Sequence, residues 1–385
     1  MKITLQPALL RWARERAGLS EAVLAKKLSA KEEQVIQWEQ DGTLTQKRAE
    51  KLAHVTHTPY GYLFLPTPPL EELPVPDFRT VDDAPVRQPS PNLLDTIYGM
   101  QQRQSWLRDH LIEEDEDPKE FVGSFDLQAD PKAVAQAMRD ELGLQTGWAS
   151  EANTWTTALM ILREQIEGLG ILIVFNGVVN NNSHRKLDPQ EFRGFALADK
   201  YAPLVFINAA DFKGAQMFTL AHELAHIWLG AEGVSNFVDL QPPEVDTEVF
   251  CNKVAAEFLI PEAELHSVWQ QAAQKDEPFQ WLARQFKVST VVAARRALDL
   301  GLVERSEFFS FYEDYKQDER RKAAARTGGG SYWANQNVRI GRRFGQTVVS
   351  AARSGKILYR DAYSLLGFKT GESFDKYAAH LRDHG

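Results

Sequence analysis

Apolar positions recur at helical spacing along most of the chain and shift to a strand-like rhythm only near its middle. Pro7 opens a helix through Arg16 that Gly18 ends, and Ser20 caps the next, with Leu24, Ala25 and Leu28 on one face. A short turn leads to KEEQVIQWEQ, Asp41-Gly42 turns the chain again, and TQKRAEKLAHVT forms a further helix. Residues 92–114 carry Leu93, Leu94, Ile97, Met100, Trp106, Leu107 and Leu111 on a stripe, and Pro118 follows the acidic end. Shorter helices are expected at 131–142 and 154–167. GILIVF (170–175), FRGFALAD (192–199) and PLVFIN (203–208) are short, β-rich and bounded by Gly, Asn, Asp and Pro, the mark of strands. Helical spacing then returns and runs through the C-terminal third. The pattern predicts a mainly α chain with a small β-sheet.

The densest apolar stretch, FTLAHELAHIWLG (218–230), reads as a helix buried on most sides. His222 and His226, four apart, share a face and can aim both imidazoles at one centre. Glu223 lies beside the first and can reach a water held there. Two ligands and a general base on one turn of helix make the His-Glu-x-x-His zinc arrangement. Two core histidines satisfied by carbonyls are the bland alternative, costly in so apolar a helix. A catalytic zinc needs a third protein ligand and an open position. The next helix, EVDTEVFCNKVAAEFLIP, offers Glu244, Glu248 and Glu257. Glu248 is preferred because Asn252, four residues on, can accept the free proton of a ligating imidazole. Cys251, the one cysteine, reads as a buried small hydrophobe.

HELAH, Glu248-x-x-x-Asn252 and AAEFLIP resemble the ImmA/IrrE family of bacterial zinc metallopeptidases. EFRGFALAD followed by APLVFIN is similar to the family's longer members, which carry an N-terminal helix-turn-helix. The resemblance implies an α+β, zincin-like peptidase domain with zinc on His222, His226 and Glu248 and with Glu223 as base. It also implies a protein substrate, typically a transcriptional repressor, or an antitoxin.

The first 65 residues closely resemble the bacterial repressor-like (XRE) domain, whose third helix, here 31–40, enters the major groove. Gln34 and Gln37 would then face bases, and Lys26, Lys27 and Lys31 the phosphates. Against this, Glu32 and Glu33 repel phosphates, and the domain's balance of ten basic to seven acidic residues is only mildly positive. DNA binding and protein docking both stay open. Residues 66–91 hold eight of eighteen prolines and form an extended spacer or a segment lying along the peptidase groove. The peptidase domain is placed at 92–275, with its zinc core at 191–261. A helical region follows at 276–385, in which 277–303 repeats the helix-turn-helix rhythm. That repeat, with Arg295 and Arg296, reads as a brace on the peptidase or as a DNA reader. Arg339, Arg342, Arg343 and Arg353 lie on amphipathic helices further on. His184 reads as a solvated loop residue.

Composition narrows the rest. A formal charge of −9 argues against a surface built for non-specific nucleic-acid binding, so any DNA contact must be local. One cysteine excludes a disulfide framework. No apolar run approaches membrane-spanning length, and the N-terminus lacks a signal-peptide profile, which predicts a cytoplasmic protein away from the membrane. The expected activity is a zinc-dependent endopeptidase that regulates transcription by cleaving a repressor or antitoxin. The rival expectation is a DNA-binding regulator or the antitoxin of a small toxin, using the peptidase fold to dock or sense. Oligomeric state is not readable, though a dimer fits.

Overall fold

The computed structural model describes residues 1–76, 88–235, 246–317 and 332–383. Part of the proline-rich segment (77–87), Glu244 and the stretch DERRKAAARTGGGS lie outside the described residues. The chain divides into two units, one comprising 1–74 and 81–98, the other 75–80 and 99–385.

In the first unit, α1 (Pro7–Arg16), α2 (Glu21–Leu28), α3 (Glu32–Asp41) and α4 (Gln46–Thr56) surround Leu10, Leu24, Leu28, Val35 and Leu52. Ser20 and Thr45 cap α2 and α4 by accepting from the backbone N–H groups of Val23 and Arg48, each three residues on. Two three-residue strands, β1 (Lys2–Thr4) and β2 (Thr43–Thr45), pair antiparallel with Ile3 opposite Leu44. A buried fork ties α1 to α3: Arg14 Nε and Nη2 donate to the Glu39 carboxylate at 2.6 and 2.9 Å.

The long helix α5 (Pro91–Glu113) passes into the second unit. There follow α6 (Pro131–Glu141), the single turn α7 (Trp148–Glu151) and α8 (Trp155–Gly168). The sheet is built from β3 (Leu172–Asn176), β4 (Gly194–Leu197), β5 (Leu204–Asn208) and β6 (Gly233–Ser235), in the order β3-β5-β4-β6. β3 runs parallel to β5, and β4 runs antiparallel to both β5 and β6. β3, β4 and β5 are buried along their whole length, as their near-continuous apolar runs require. Between β5 and β6 lies α9 (Lys213–Leu229), and α10 (Asp246–Leu259) packs against it.

The outer strands are both covered. Val234 on β6 donates to the Pro76 carbonyl at 3.0 Å, and Val75 beside it is buried. β3, at the opposite end, is packed by α15 (Tyr332–Ile340), and the left-handed Gly341 that ends that helix would drive a Cβ to within 2.7 Å of Leu172 Cδ1. β6 takes the edge of the sheet beside β4. The physical reason is local: β6 follows α9 closely enough to fold back on β4.

Further helices complete the unit: α11 (Glu262–Ala273), α12 (Pro278–Phe286), α13 (Thr290–Asp299), α14 (Arg305–Gln317), α16 (Arg342–Arg353), α17 (Tyr359–Leu366) and α18 (Gly371–Asp383). Leu282, Ala283, Phe286, Val288 and Ala293 of the α12–α13 pair join one core with Leu224, Trp228, Val254 and Phe258. Each fully buried Leu, Val or Phe side chain among them contributes about 1.5–3 kcal/mol. The whole is mainly α with a small sheet. No helix among the described residues is long and apolar enough to cross a membrane.

Candidate metal centre

Alanines and leucines favour the helical state through α9, and its interior position supplies the rest. Every residue from Gly214 to Trp228 except Phe218 is buried. The helix ends at Gly230 in a left-handed cap. Its last carbonyls do not go unmet: Gly123 N–H donates to Ile227 at 3.1 Å and Phe125 N–H to Trp228 at 3.2 Å. The helix that carries HELAH is therefore fixed at its end as well as along its sides.

From α9, His222 and His226 place their Nε2 atoms 3.0 Å apart. From α10, Glu248 brings Oε2 to 3.1 Å from His222 Nε2 and Oε1 to 2.9 Å from His226 Nε2. The three residues are 0–2% exposed. They are the group among the described residues whose His, Cys, Asp or Glu ligand atoms could hold one ion. A tetrahedral zinc with bonds of about 2.0–2.1 Å separates its donors by about 3.3–3.4 Å, so small relaxation would admit it. The donor set also has the right chemistry. Asn252 Oδ1 lies 3.0 Å from His222 Nδ1 and accepts its proton, which leaves the Nε2 lone pair facing the centre. Burial lowers the His226 pKa, favouring the neutral imidazole that a metal requires. Burial works against ionising Glu248, but the two imidazoles outweigh it and hold the carboxyl down at about 2.

Glu223 is wholly buried beside this group. The strand above it gives it room: a Cβ at Gly194 of β4 would lie 3.0 Å from Glu223 Oε1 and 2.8 Å from Thr219 Cγ2. Gly194 was assigned no role from sequence, although an isolated glycine within a strand pattern signals a close approach. Cys251 is buried, its thiol pKa raised by that burial and then by Glu248 and Glu223, as suits an inert thiol.

Other candidates are placed elsewhere. Glu257 pairs with Arg296 and accepts from the Glu262 N–H at 3.2 Å, away from the imidazoles. Arg296 also donates to the Ile260 carbonyl at 3.0 Å, and Arg295 pairs with Asp299. His184 is exposed, in the loop after β3. In the first unit Lys26, Lys27, Lys31, Gln34 and Gln37 are all exposed on α2, α3 and the turn between. Gln34 Oε1 accepts from the Lys31 N–H at 3.1 Å, and Gln37 Nε2 donates to Asp41 at 3.3 Å.

Residues 166–298 match the family model described as the IrrE N-terminal-like domain. This is the model of the M78 peptidases, and the matched span runs from the end of α8 to α13, taking in the sheet, α9 and α10. It supports the ImmA/IrrE relationship and a metallopeptidase-type domain. A second match, over 340–380, is to a domain of unknown function (DUF8813) and covers α16, α17 and most of α18. No curated protein matches the chain.

Proposed function

We propose that the chain is a zinc-dependent endopeptidase that acts on a protein regulator, a repressor or an antitoxin. The observation that carries this reading is the meeting of His222, His226 and Glu248 within 2.9–3.1 Å of one another, next to Glu223. Bound there, zinc would acidify a water and polarise a scissile carbonyl. The chain's own groups do the rest. His222 and His226 present neutral nitrogens, and Asn252 orients the first of them. Glu248 supplies the anionic ligand. Glu223, one residue along from His222, takes the proton from the attacking water and delivers it to the leaving amine.

The test begins with the metal. Purified protein should hold zinc at a stoichiometry near one, and His222→Ala should lose it. Wild type, mixed with the products of neighbouring genes, should cleave one of them, while Glu223→Gln leaves it intact. Zinc bound as expected but no cleavage under any condition would reject the enzyme reading alone.

A second reading has an observation in its favour. His222, Glu223 and His226 are each 0% exposed, an arrangement suited to a peptidase fold used for docking or sensing. In that case the first unit, with its α2–turn–α3 order, serves a DNA-binding regulator or the antitoxin of a small toxin. Glu223→Gln would then keep the whole regulatory effect in cells. The cytoplasm fits either reading.

A further inference from the structure

β6 ends the sheet on the side of β4, and its outer edge is occupied by the chain itself. Val234 N–H donates to the Pro76 carbonyl at 3.0 Å. Val75 is 5% exposed, while Pro74 and Pro76 on either side of it are exposed. One side chain in and its two neighbours out is the alternation of an extended strand. Val75 and Pro76 group with the second unit, although the residues up to Pro74 group with the first. Four residues before Val75, Glu71 accepts from Arg16 Nη2 at 2.7 Å, and Arg16 Nη1 donates to the His57 carbonyl at 3.1 Å. The stretch is thus tied upstream within the first unit and laid on β6 within the second.

This edge is the one near the candidate metal centre. Gly194 of β4 pairs with Ser235 of β6, and a Cβ on Gly194 would lie 3.0 Å from Glu223 Oε1. A strand on the outer side of β6 therefore lies two strand spacings, about 10 Å, from the strand that faces Glu223. β3, at the other end of the sheet, is two strands from β4 and is packed by α15.

The occupant is held less firmly than the edge permits. In an extended strand the N–H and C=O of one residue point the same way, and a residue facing its partner can exchange two hydrogen bonds. Pro76 turns its carbonyl to β6 and has no N–H to give. A peptide with any other residue at that place brings a donor that Pro76 lacks.

We propose that the outer edge of β6 is a peptide-binding edge whose tethered occupant, Val75 and Pro76, is displaced by an extended peptide with a β-branched apolar side chain in the seat of Val75. Strand addition supplies the affinity and the Val75 seat the selectivity. The tether gives the resident stretch an effective concentration on the order of a millimolar. A free peptide therefore competes through the extra bond, or once the resident stretch is loosened. On the peptidase reading, on which this last step rests, the incoming peptide belongs to the substrate.

The test uses full-length protein carrying Glu223→Gln, so that binding is read without cleavage. The probe is a fluorescein-labelled peptide copying residues 70–78 with alanine in place of Pro76, LEELPVADF, followed by fluorescence anisotropy. Val75→Asp in the protein loosens the resident stretch, and the probe should then bind at least about tenfold more tightly than when Val75 is intact. Should that variant not fold, Val75→Ala takes its place. The same probe with N-methylalanine at the Pro76 position lacks the N–H and should bind about tenfold more weakly. A probe with aspartate at the Val75 position should not bind. Equal binding with and without the loosening substitution overturns the proposal, because the probe then sits elsewhere. So does equal binding of the alanine and N-methylalanine probes. No binding to the loosened protein overturns it too, leaving Val75 and Pro76 as a fixed cover of the edge. A probe that binds as expected to a protein that cleaves nothing upholds the edge and counts against the peptidase reading alone.

Discussion

Glu248 and Glu257 occupy one helix, nine residues apart, and meet different fates. The first faces two imidazoles, and the second faces Arg296. Sequence favoured Glu248 through its spacing to Asn252, and the amide does stand 3.0 Å from His222 Nδ1. Asn252→Ala should lower zinc affinity about 10- to 100-fold, and Glu248→Ala should lower it further, in a competition titration with a chelating dye. An Asn252→Ala affinity equal to wild type would remove its orienting role. Gly194 escaped notice because its importance lies in what a side chain would strike, which no single sequence states. Gly194→Ala should destabilise the fold by about 1–3 kcal/mol in urea, and Thr219→Ser in the same chain should restore part of that by removing Cγ2. A fully additive double variant would argue against the contact. Glu167 gives a pH test. Burial raises its folded pKa, so its favourable contribution is present at acid pH and lost as pH rises through that raised value. Glu167→Gln cannot ionise, and its oxygen can still accept from Arg342. Its melting temperature should therefore gain on wild type between about pH 4 and pH 7, and a constant difference would contradict the assignment.

Among elements, most of the long periodic helices were legible nearly to the residue, although α9 begins at Lys213, ahead of the stretch from Phe218 that marks it in the sequence. Pro7 and Gly18 bracket α1, and α9 ends at the Gly230 that the sequence offers as a stop. β1, β2 and β6 were not legible. Each has three residues, too few for alternation, and each exists because a distant strand pairs with it. The α12–α13 pair shows how a shared rhythm can serve packing: Arg296 is turned inward to Glu257 and Ile260 and is not offered to a phosphate. In α2 and α3 the lysines remain exposed. If the first unit binds DNA, replacing Lys26, Lys27 or Lys31 by Ala should weaken binding to every sequence alike and lower the salt slope by about one. Gln34 and Gln37 would have to exchange their present bonds for base edges, so their alanine variants should relax specificity. Gel shifts without any salt-dependent binding would leave protein docking as the better account of this surface.

For the molecule as a whole, helical and strand periods were enough to give a mainly α chain with a small sheet. They could not give the contact of Arg103 with the Arg339 carbonyl and the Phe344 ring, which joins the first third of the chain to the last. Nor could they show that the C-terminal third seals the sheet. A chain ended at Gln317 lacks α15 and bares β3, an apolar strand with unpaired backbone groups. It should form soluble aggregates on size-exclusion chromatography, and a monodisperse truncated protein would show that β3 needs no cover. The same dependence has a temporal side. On the ribosome, β3 emerges well before the helix that covers it. At an elongation rate of about 5–20 residues per second the interval lasts on the order of ten seconds or more. Throughout it the growing chain offers a sticky strand to its neighbours on the same messenger. The newborn protein is thus most in need of a chaperone after its peptidase core has been made and before its last hundred residues have arrived.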